Sequence, residues 1–189
     1  MPADTPHDTT SVVTGVTNGL APPLDPPWKP IYLFVYGSLM DTDVIQYVLR
    51  LPNRPPPLQP AKLKNYKMMM WGIYPTLIPS DYHISSNNGG DENEGSPDDS
   101  IPGALYLVED PAKFSMLERY ETRAYTWCRC VAEFTADDGS TLTTEQSGFE
   151  CRTFVWAGDP YSLDLFGGTF DLERYRKYYK PKFLTNRLS

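Results

Sequence analysis

The apolar residues of this chain fall into short runs, and the spacing within each run points to its element. Ile31-Tyr32-Leu33-Phe34-Val35-Tyr36 is continuous rather than alternating. A run of that length and character predicts a strand buried on both faces. Gly37-Ser38 breaks it, and Val44, Ile45, Val48 and Leu49 then recur at helical spacing behind Asp41 or Thr42 as N-cap, with Pro52 as the stop. Five prolines between 52 and 60 predict a rigid connector. Strand is expected over Ala61–Met70, a turn at Trp71-Gly72-Ile73-Tyr74-Pro75, and short strand again at Thr76–Ile78. Ile101–Val108, Trp127–Phe134 and Glu150–Trp156 read as further strands, with Asp138-Gly139 as a hairpin turn. Asp110-Pro111 is a helix start, Asp as cap and Pro in the first turn, for a helix to about Tyr120. A last helix is expected over Leu172–Tyr179. Strand, helix, several strands, helix and strands again is the order of an α+β domain, not of regular βαβ units.

One position breaks the pattern. At about 100° per residue, Met116, Tyr120, Leu117, Glu121 and Phe114 share one arc of the 111–121 helix, with Ser115, Glu118 and Arg119 opposite. Lys113 also falls on the arc, but in the first turn, where it can snorkel outward. Glu121 is thus bracketed by Leu117 and Phe114 on the face meant for the core. An ionised carboxylate is costly to bury unpaired. Desolvation raises its pKa and prepares it for proton transfer near neutral pH. The competing reading is a carboxylate at a frayed helix end, in solvent or paired with Arg119, Arg123 or Arg129.

The turn Tyr36-Gly37-Ser38-Leu39 joins the first strand to the first helix. Backbone N–H groups in such a turn can hold an anion, and Gly37 permits close approach of a ligand or an unusual φ. An ordinary tight turn would look the same. Ser38 as a nucleophile is disfavoured: the sequence is not a G-x-S-x-G elbow, and the two histidines are His7 and His83.

Composition narrows the setting. The 189 residues carry a net charge of −7, which disfavours nucleic acid or an anionic membrane as partner. Three cysteines do not make a disulfide framework, and neither a signal peptide nor a membrane-length apolar stretch is visible. The expected location is cytoplasmic. Residues 1–29, rich in Thr, Pro, Asp and Gly, read as a disordered tail, with a clamp through Trp28 as the alternative. The domain is expected over 30–170, with an acidic disordered loop at 85–100 inserted in it, and a helix or tail over 171–189. From Asp171 onward six basic residues face two acidic ones, read as a solvated face. Cys128, Cys130 and Cys151 lack zinc spacing and are read as inert thiols, so no metal is expected. Met68-Met69-Met70-Trp71 reads as core and pocket wall rather than a ligand set.

The order of the motifs carries a resemblance. Val35-Tyr36-Gly37-Ser38-Leu39, Gly72-Ile73-Tyr74-Pro75, Pro102-Gly103-Ala104-Leu105-Tyr106, Leu117-Glu118-Arg119-Tyr120-Glu121 with Tyr125, and Phe154-Val155-Trp156 follow one another over roughly residues 31–160. In that order they resemble the γ-glutamylcyclotransferase family, in its AIG2-like branch. The resemblance implies a small mixed β-barrel with flanking helices and a small-molecule γ-glutamyl substrate. It also implies that Tyr36, Gly37, Ser38, Leu39 and Tyr125 bind the substrate and that Glu121 acts as general acid/base. The implied reaction is attack of the substrate's α-amine on its own γ-carbonyl, giving 5-oxoproline and a free amine without a cofactor. The chain has Trp127 where the family often has Arg, and Phe154 where it often has Tyr. A non-catalytic binding protein of the same fold, or an acyltransferase using the same site, stays open, as does monomer or homodimer.

Overall fold

The computed structural model describes residues 27–81, 100–135 and 148–185. Most of the expected tail, the acidic loop up to residue 99, the Asp138-Gly139 turn, His7 and His83 lie outside the described residues. In chain order the elements are β1 (Ile31–Val35), α1 (Thr42–Val48), β2 (Gln59–Leu63), β3 (Tyr66–Trp71), β4 (Tyr74–Pro79), β5 (Ile101–Val108), α2 (Pro111–Glu121), β6 (Tyr125–Phe134), β7 (Phe149–Trp156), β8 (Leu165–Gly167), α3 (Leu172–Tyr178) and α4 (Lys180–Thr185). A 3-10 turn at Ser38–Met40 follows β1, and another at Thr122–Ala124 follows α2.

Five strands close into a barrel in the order β1-β5-β2-β6-β7. The seam is the parallel pair β1–β7, with Leu33 opposite Arg152 and Phe34 opposite Thr153, and the other pairs are antiparallel. The Thr153 hydroxyl donates to the Phe34 carbonyl at 3.1 Å across that seam. The expected α+β mixed barrel with flanking helices is the observed architecture. β1 is covered on both faces, as its unbroken apolar run predicts. Phe34 joins Ala61, Leu63, Ile101, Leu105, Ala132 and Cys151, contributed by all five strands, to fill the barrel. Leu33 and Val35 point the other way and pack with Val44, Ile45, Phe114 and Leu117 under α1 and α2. Gly103 lies beside that filling; a Cβ there would stand 2.5 Å from the Phe34 ring, so no larger residue fits.

The Ala61–Met70 segment is two strands, not one. Asn65 has φ 65°, a conformation Asn tolerates, and it turns the chain between β2 in the barrel and β3 in a second sheet. That sheet is ordered β4-β3-β8. β8 and α4 were not foreseen, being too short to show a period. The Trp71–Pro75 turn is tighter than expected: β3 and β4 run to Trp71 and from Tyr74, leaving only Gly72 (φ 62°) and Ile73 between them.

Both chain extremities of the described region are pinned. Trp28 follows the clamp reading: its ring lies 5.9 Å from that of Phe114, and its Nε1–H donates to the Glu109 carbonyl at 3.1 Å. Asp41 caps α1 by accepting from the amides of Asp43 and Val44. The same buried carboxylate accepts from Arg176 Nε at 2.8 Å and Lys180 Nζ at 2.9 Å, and Lys180 also reaches Asp43 at 2.6 Å. Two of the C-terminal cations read as solvated therefore tie α3 and α4 to α1. Burial would raise the Asp41 pKa, but Lys180 and Arg176 hold it below its ordinary value.

Candidate functional site

β1 ends at the mouth of a cavity of about 540 Å³. Its walls come from four places: the 34–39 segment, the β3–β4 hairpin (Trp71, Ile73, Tyr74, Pro75), the end of α2 with the start of β6 (Tyr120, Glu121, Thr122, Tyr125), and α3–α4 (Tyr175, Tyr179, Lys182, Phe183), with Phe154 from β7. Every residue expected in the site from the sequence, Tyr36, Gly37, Ser38, Leu39, Glu121 and Tyr125, is on this wall. So are Trp71 and Tyr74.

Glu121 closes α2, and helical periodicity turns it toward the same side as buried Leu117 and Phe114. The surface it keeps open belongs to the cavity. No ion pair or hydrogen bond to its carboxyl occurs among the described residues, so the pairing with Arg119, Arg123 or Arg129 is not formed. Burial without a counter-charge pushes its pKa up to about 8. Immediately after it, Thr122 has φ 65° and ψ −169°. A β-branched residue rarely adopts that conformation. It reverses the chain, so that Tyr125 on β6 stands on the same wall as Glu121.

The 36–39 turn is held by its neighbours. Tyr36 is buried and its hydroxyl donates to the Phe154 carbonyl at 2.8 Å. Burial, with Glu121 nearby, raises the Tyr36 pKa well above the ordinary phenol value, so it stays neutral. Ser38 Oγ lies 2.7 Å from the Tyr120 hydroxyl. Gly37 has φ −126°, so an unusual φ is not its reason. The reason is Pro75: a Cβ on Gly37 would stand 2.9 Å from the Pro75 ring. The Pro75 carbonyl in turn accepts from the Tyr125 hydroxyl at 3.0 Å. The turn, the hairpin and β6 are thereby locked together. Met40 N–H bonds the Gly37 carbonyl and Asp41 N–H the Ser38 carbonyl, but the amides of Gly37, Ser38 and Leu39 find no acceptor among the described residues. These are the orphan donors expected at the start of a 3-10 turn.

The two departures from the family pattern separate. Phe154 does line the cavity, without a hydroxyl. Trp127 does not: it faces Phe114, and the Arg152 guanidinium sits 4.0 Å from its ring centroid. The residues missed by sequence reasoning are Tyr120, Tyr175, Tyr179, Lys182 and Phe183. The aromatic density of the last helical segment was the signal for Tyr175, Tyr179 and Phe183, and Tyr120 stood on the Glu121 arc; Lys182 had none. No group of three or more His, Cys, Asp or Glu side chains suited to a metal occurs among the described residues, and no described helix is long and apolar enough to cross a membrane.

Comparison with known proteins follows the same line. The sequence model of a family described as "Gamma-glutamyl cyclotransferase, AIG2-like" matches residues 33–171. AIG2-like protein D of Arabidopsis thaliana is 28% identical over 158 residues, covering 80% of this chain and 83% of that protein. AIG2-like protein C of the same plant is 29% identical over 157 residues, covering 81% and 73%. Among solved structures, a yeast γ-glutamyl cyclotransferase specific to glutathione aligns with a TM-score of 0.44 at 16% identity, over 68% of this chain and 69% of that one.

Proposed function

Because the chain belongs to the AIG2-like γ-glutamyl cyclotransferase family, we propose that it cyclises a γ-glutamyl compound to 5-oxoproline and releases the amine that the γ-carboxyl carried. The observation that supports this reading best is Glu121: a carboxyl with no ion pair or hydrogen bond among the described residues and a pKa raised to about 8, on the wall of a cavity that the 36–39 turn also lines.

The chemistry asks for few parts. The substrate's α-amine enters as an ammonium, and among the described residues that line the cavity Glu121 is the only acidic side chain to receive it. Pairing with that ammonium favours the ionised carboxylate. Glu121 then takes a proton from the amine, and the freed nitrogen lone pair attacks the γ-carbonyl carbon. As the tetrahedral centre collapses, the bond from that carbon to the leaving nitrogen breaks and Glu121 returns its proton to that nitrogen; the regenerated carboxylate then takes the second proton of the attacking nitrogen, leaving the single N–H of the lactam, and passes it to the released amine, which departs as an ammonium. One carboxyl with a pKa near the working pH serves both transfers. The orphan amides of Gly37, Ser38 and Leu39 are donors for the α-carboxylate or the developing oxyanion. Tyr125, fixed by the Pro75 carbonyl, limits where the glutamyl chain can lie. Holding the amine against the γ-carbonyl makes ring closure a matter of orientation.

The test is 5-oxoproline release from a panel of γ-glutamyl dipeptides, glutathione and γ-glutamyl-ε-lysine by the wild type and by Glu121→Gln. Release by the first and its loss in the second is expected. A folded wild-type protein that releases none from any of them would overturn the reading in favour of a binding role, and transfer of the glutamyl group to an added amine would replace cyclisation by acyl transfer.

A further inference from the structure

Three hydroxyls meet at the 36–39 turn. Ser38 Oγ and the Tyr120 hydroxyl stand 2.7 Å apart. The Tyr175 hydroxyl is the third member and interacts with both. They come from three places in the chain: the turn, the end of α2 and the middle of α3. Tyr175 is buried and held on several sides. Its ring lies 5.8 Å from that of Phe170 and 6.4 Å from that of Tyr179. The next residue, Arg176, is tied to Asp41, whose own N–H bonds the Ser38 carbonyl. Burial raises the pKa of Tyr120 and of Tyr175 above the ordinary phenol value, so both keep their protons.

The cluster is rich in donors and poor in acceptors. Three hydroxyls bring three protons. No backbone carbonyl or carboxylate accepts a hydrogen bond from any of them among the described residues, so the hydroxyls have one another. The orphan amides of Gly37, Ser38 and Leu39 belong to the same turn. Polar groups in such a place are normally satisfied, and all three hydroxyl-bearing residues line the cavity. What this wall lacks is an anion. Glu121, next in sequence to Tyr120, stands on the same wall. The α-carbon of a glutamyl group likewise carries a carboxylate and an ammonium on one atom.

We propose that Tyr175 is a further substrate-binding residue, which with Ser38 and Tyr120 presents hydroxyl donors to the α-carboxylate of the glutamyl group. This rests on the cyclotransferase reading and deepens it, since it brings the C-terminal helix α3 into the site. Hydrogen bonds to an ionised acceptor are the strong ones. That charge is present before and throughout ring closure, so loss of a donor weakens binding without slowing the chemistry.

The experiment pairs γ-glutamyl-alanine with 4-aminobutanoyl-alanine, the same compound with hydrogen in place of the α-carboxylate. Tyr175→Phe keeps the ring and its packing. In this variant KM for γ-glutamyl-alanine should rise about tenfold with kcat nearly unchanged, the scale of a hydrogen bond to a charged group. For the analogue, read as a substrate or as a competitive inhibitor, wild type and variant should be alike. Both compounds are also titrated against Glu121→Gln with and without Tyr175→Phe, where binding is read without turnover. An unchanged KM for γ-glutamyl-alanine, a fall in kcat alone, or equal losses for the two compounds would overturn the role of Tyr175 while leaving cyclisation intact. Absence of turnover across the whole panel, with binding of γ-glutamyl-alanine but not of the analogue weakened by Tyr175→Phe, would support Tyr175 and overturn the enzyme reading alone. Absence of both turnover and Tyr175-dependent binding would overturn both.

Discussion

Replacing Glu121 by Gln should make the protein more stable at alkaline pH while abolishing its activity. In the folded state the carboxyl titrates at about 8, whereas in the unfolded chain it titrates near ~4.3. A carboxyl whose folded pKa is raised stabilises the fold fully below the unfolded pKa, where it is protonated in both states. That contribution is lost progressively as pH rises from about 4.3 to about 8. One pKa unit corresponds to about 1.4 kcal/mol. The rise from 4.5 to about 8 therefore sets a penalty of about 5 kcal/mol as the upper value once Glu121 is ionised, less whatever cavity water recovers. Gln has the shape of the protonated acid and never ionises. Urea unfolding of both proteins at pH 5, 7 and 9 isolates the effect, since every other titration is shared and cancels in the difference. At pH 5, already above the unfolded pKa, Glu121→Gln should lead by only about 1 kcal/mol, and at pH 9 by about 2–5 kcal/mol. The wild-type kcat/KM should rise along a limb ending near the same pH. A difference that stays flat with pH, or a variant less stable at pH 9, would refute the claim that Glu121 is buried without a counter-charge.

Gly37→Ala places a methyl group 2.9 Å from the buried Pro75 ring, and the overpacking should cost about 1–3 kcal/mol in a thermal or urea melt. Because Pro75 also holds Tyr125, kcat/KM for 5-oxoproline release should fall more than the stability loss explains; wild-type values for both would show that the contact is slack. Asp41→Ala leaves Lys180 and Arg176 without their shared anion and α1 without its cap, for a loss of about 3 kcal/mol. The Asp41 pKa is lowered in the fold. Its contribution is therefore present above the unfolded value and lost as pH falls through the folded one, so the gap between the variant and the wild type should narrow as pH falls below the ordinary Asp range.

What the sequence made legible follows from where the constraint was local. The strand 31–36 showed itself because a doubly buried strand cannot alternate. Glu121 showed itself because helical periodicity is regular enough to flag one carboxylate on an apolar arc. The extent of α2 was marked at its start by Asp110-Pro111. Long-range constraints left no such mark. Nothing near Leu33 announces a parallel partner at Arg152, and nothing near Arg176 or Lys180 announces Asp41, so the basic segment looked like solvated surface. Gly37 stood out for its backbone freedom, whereas the constraint on it is Pro75, distant in the chain. Trp127 looked like a lost anchor because it shares a side of β6 with Tyr125, and the sequence cannot tell where along that strand the cavity ends. Asn65 was the one local signal passed over, a residue that commonly adopts positive φ within an apolar stretch.

The barrel seam has a consequence for the order of synthesis. β1 leaves the ribosome early, yet one of its edges waits for β5 and the other for β7, more than a hundred residues later. Until β7 arrives one edge of this apolar strand has no partner, and the 36–39 turn at its end has no α3–α4 wall in place. Non-local pairings of this kind form late and expose unpaired edges meanwhile. A nascent chain halted before β7 would carry both Glu121 and the turn and still possess no pocket. Ribosome-bound intermediates of this protein should therefore lean on chaperones rather than on substrate for protection.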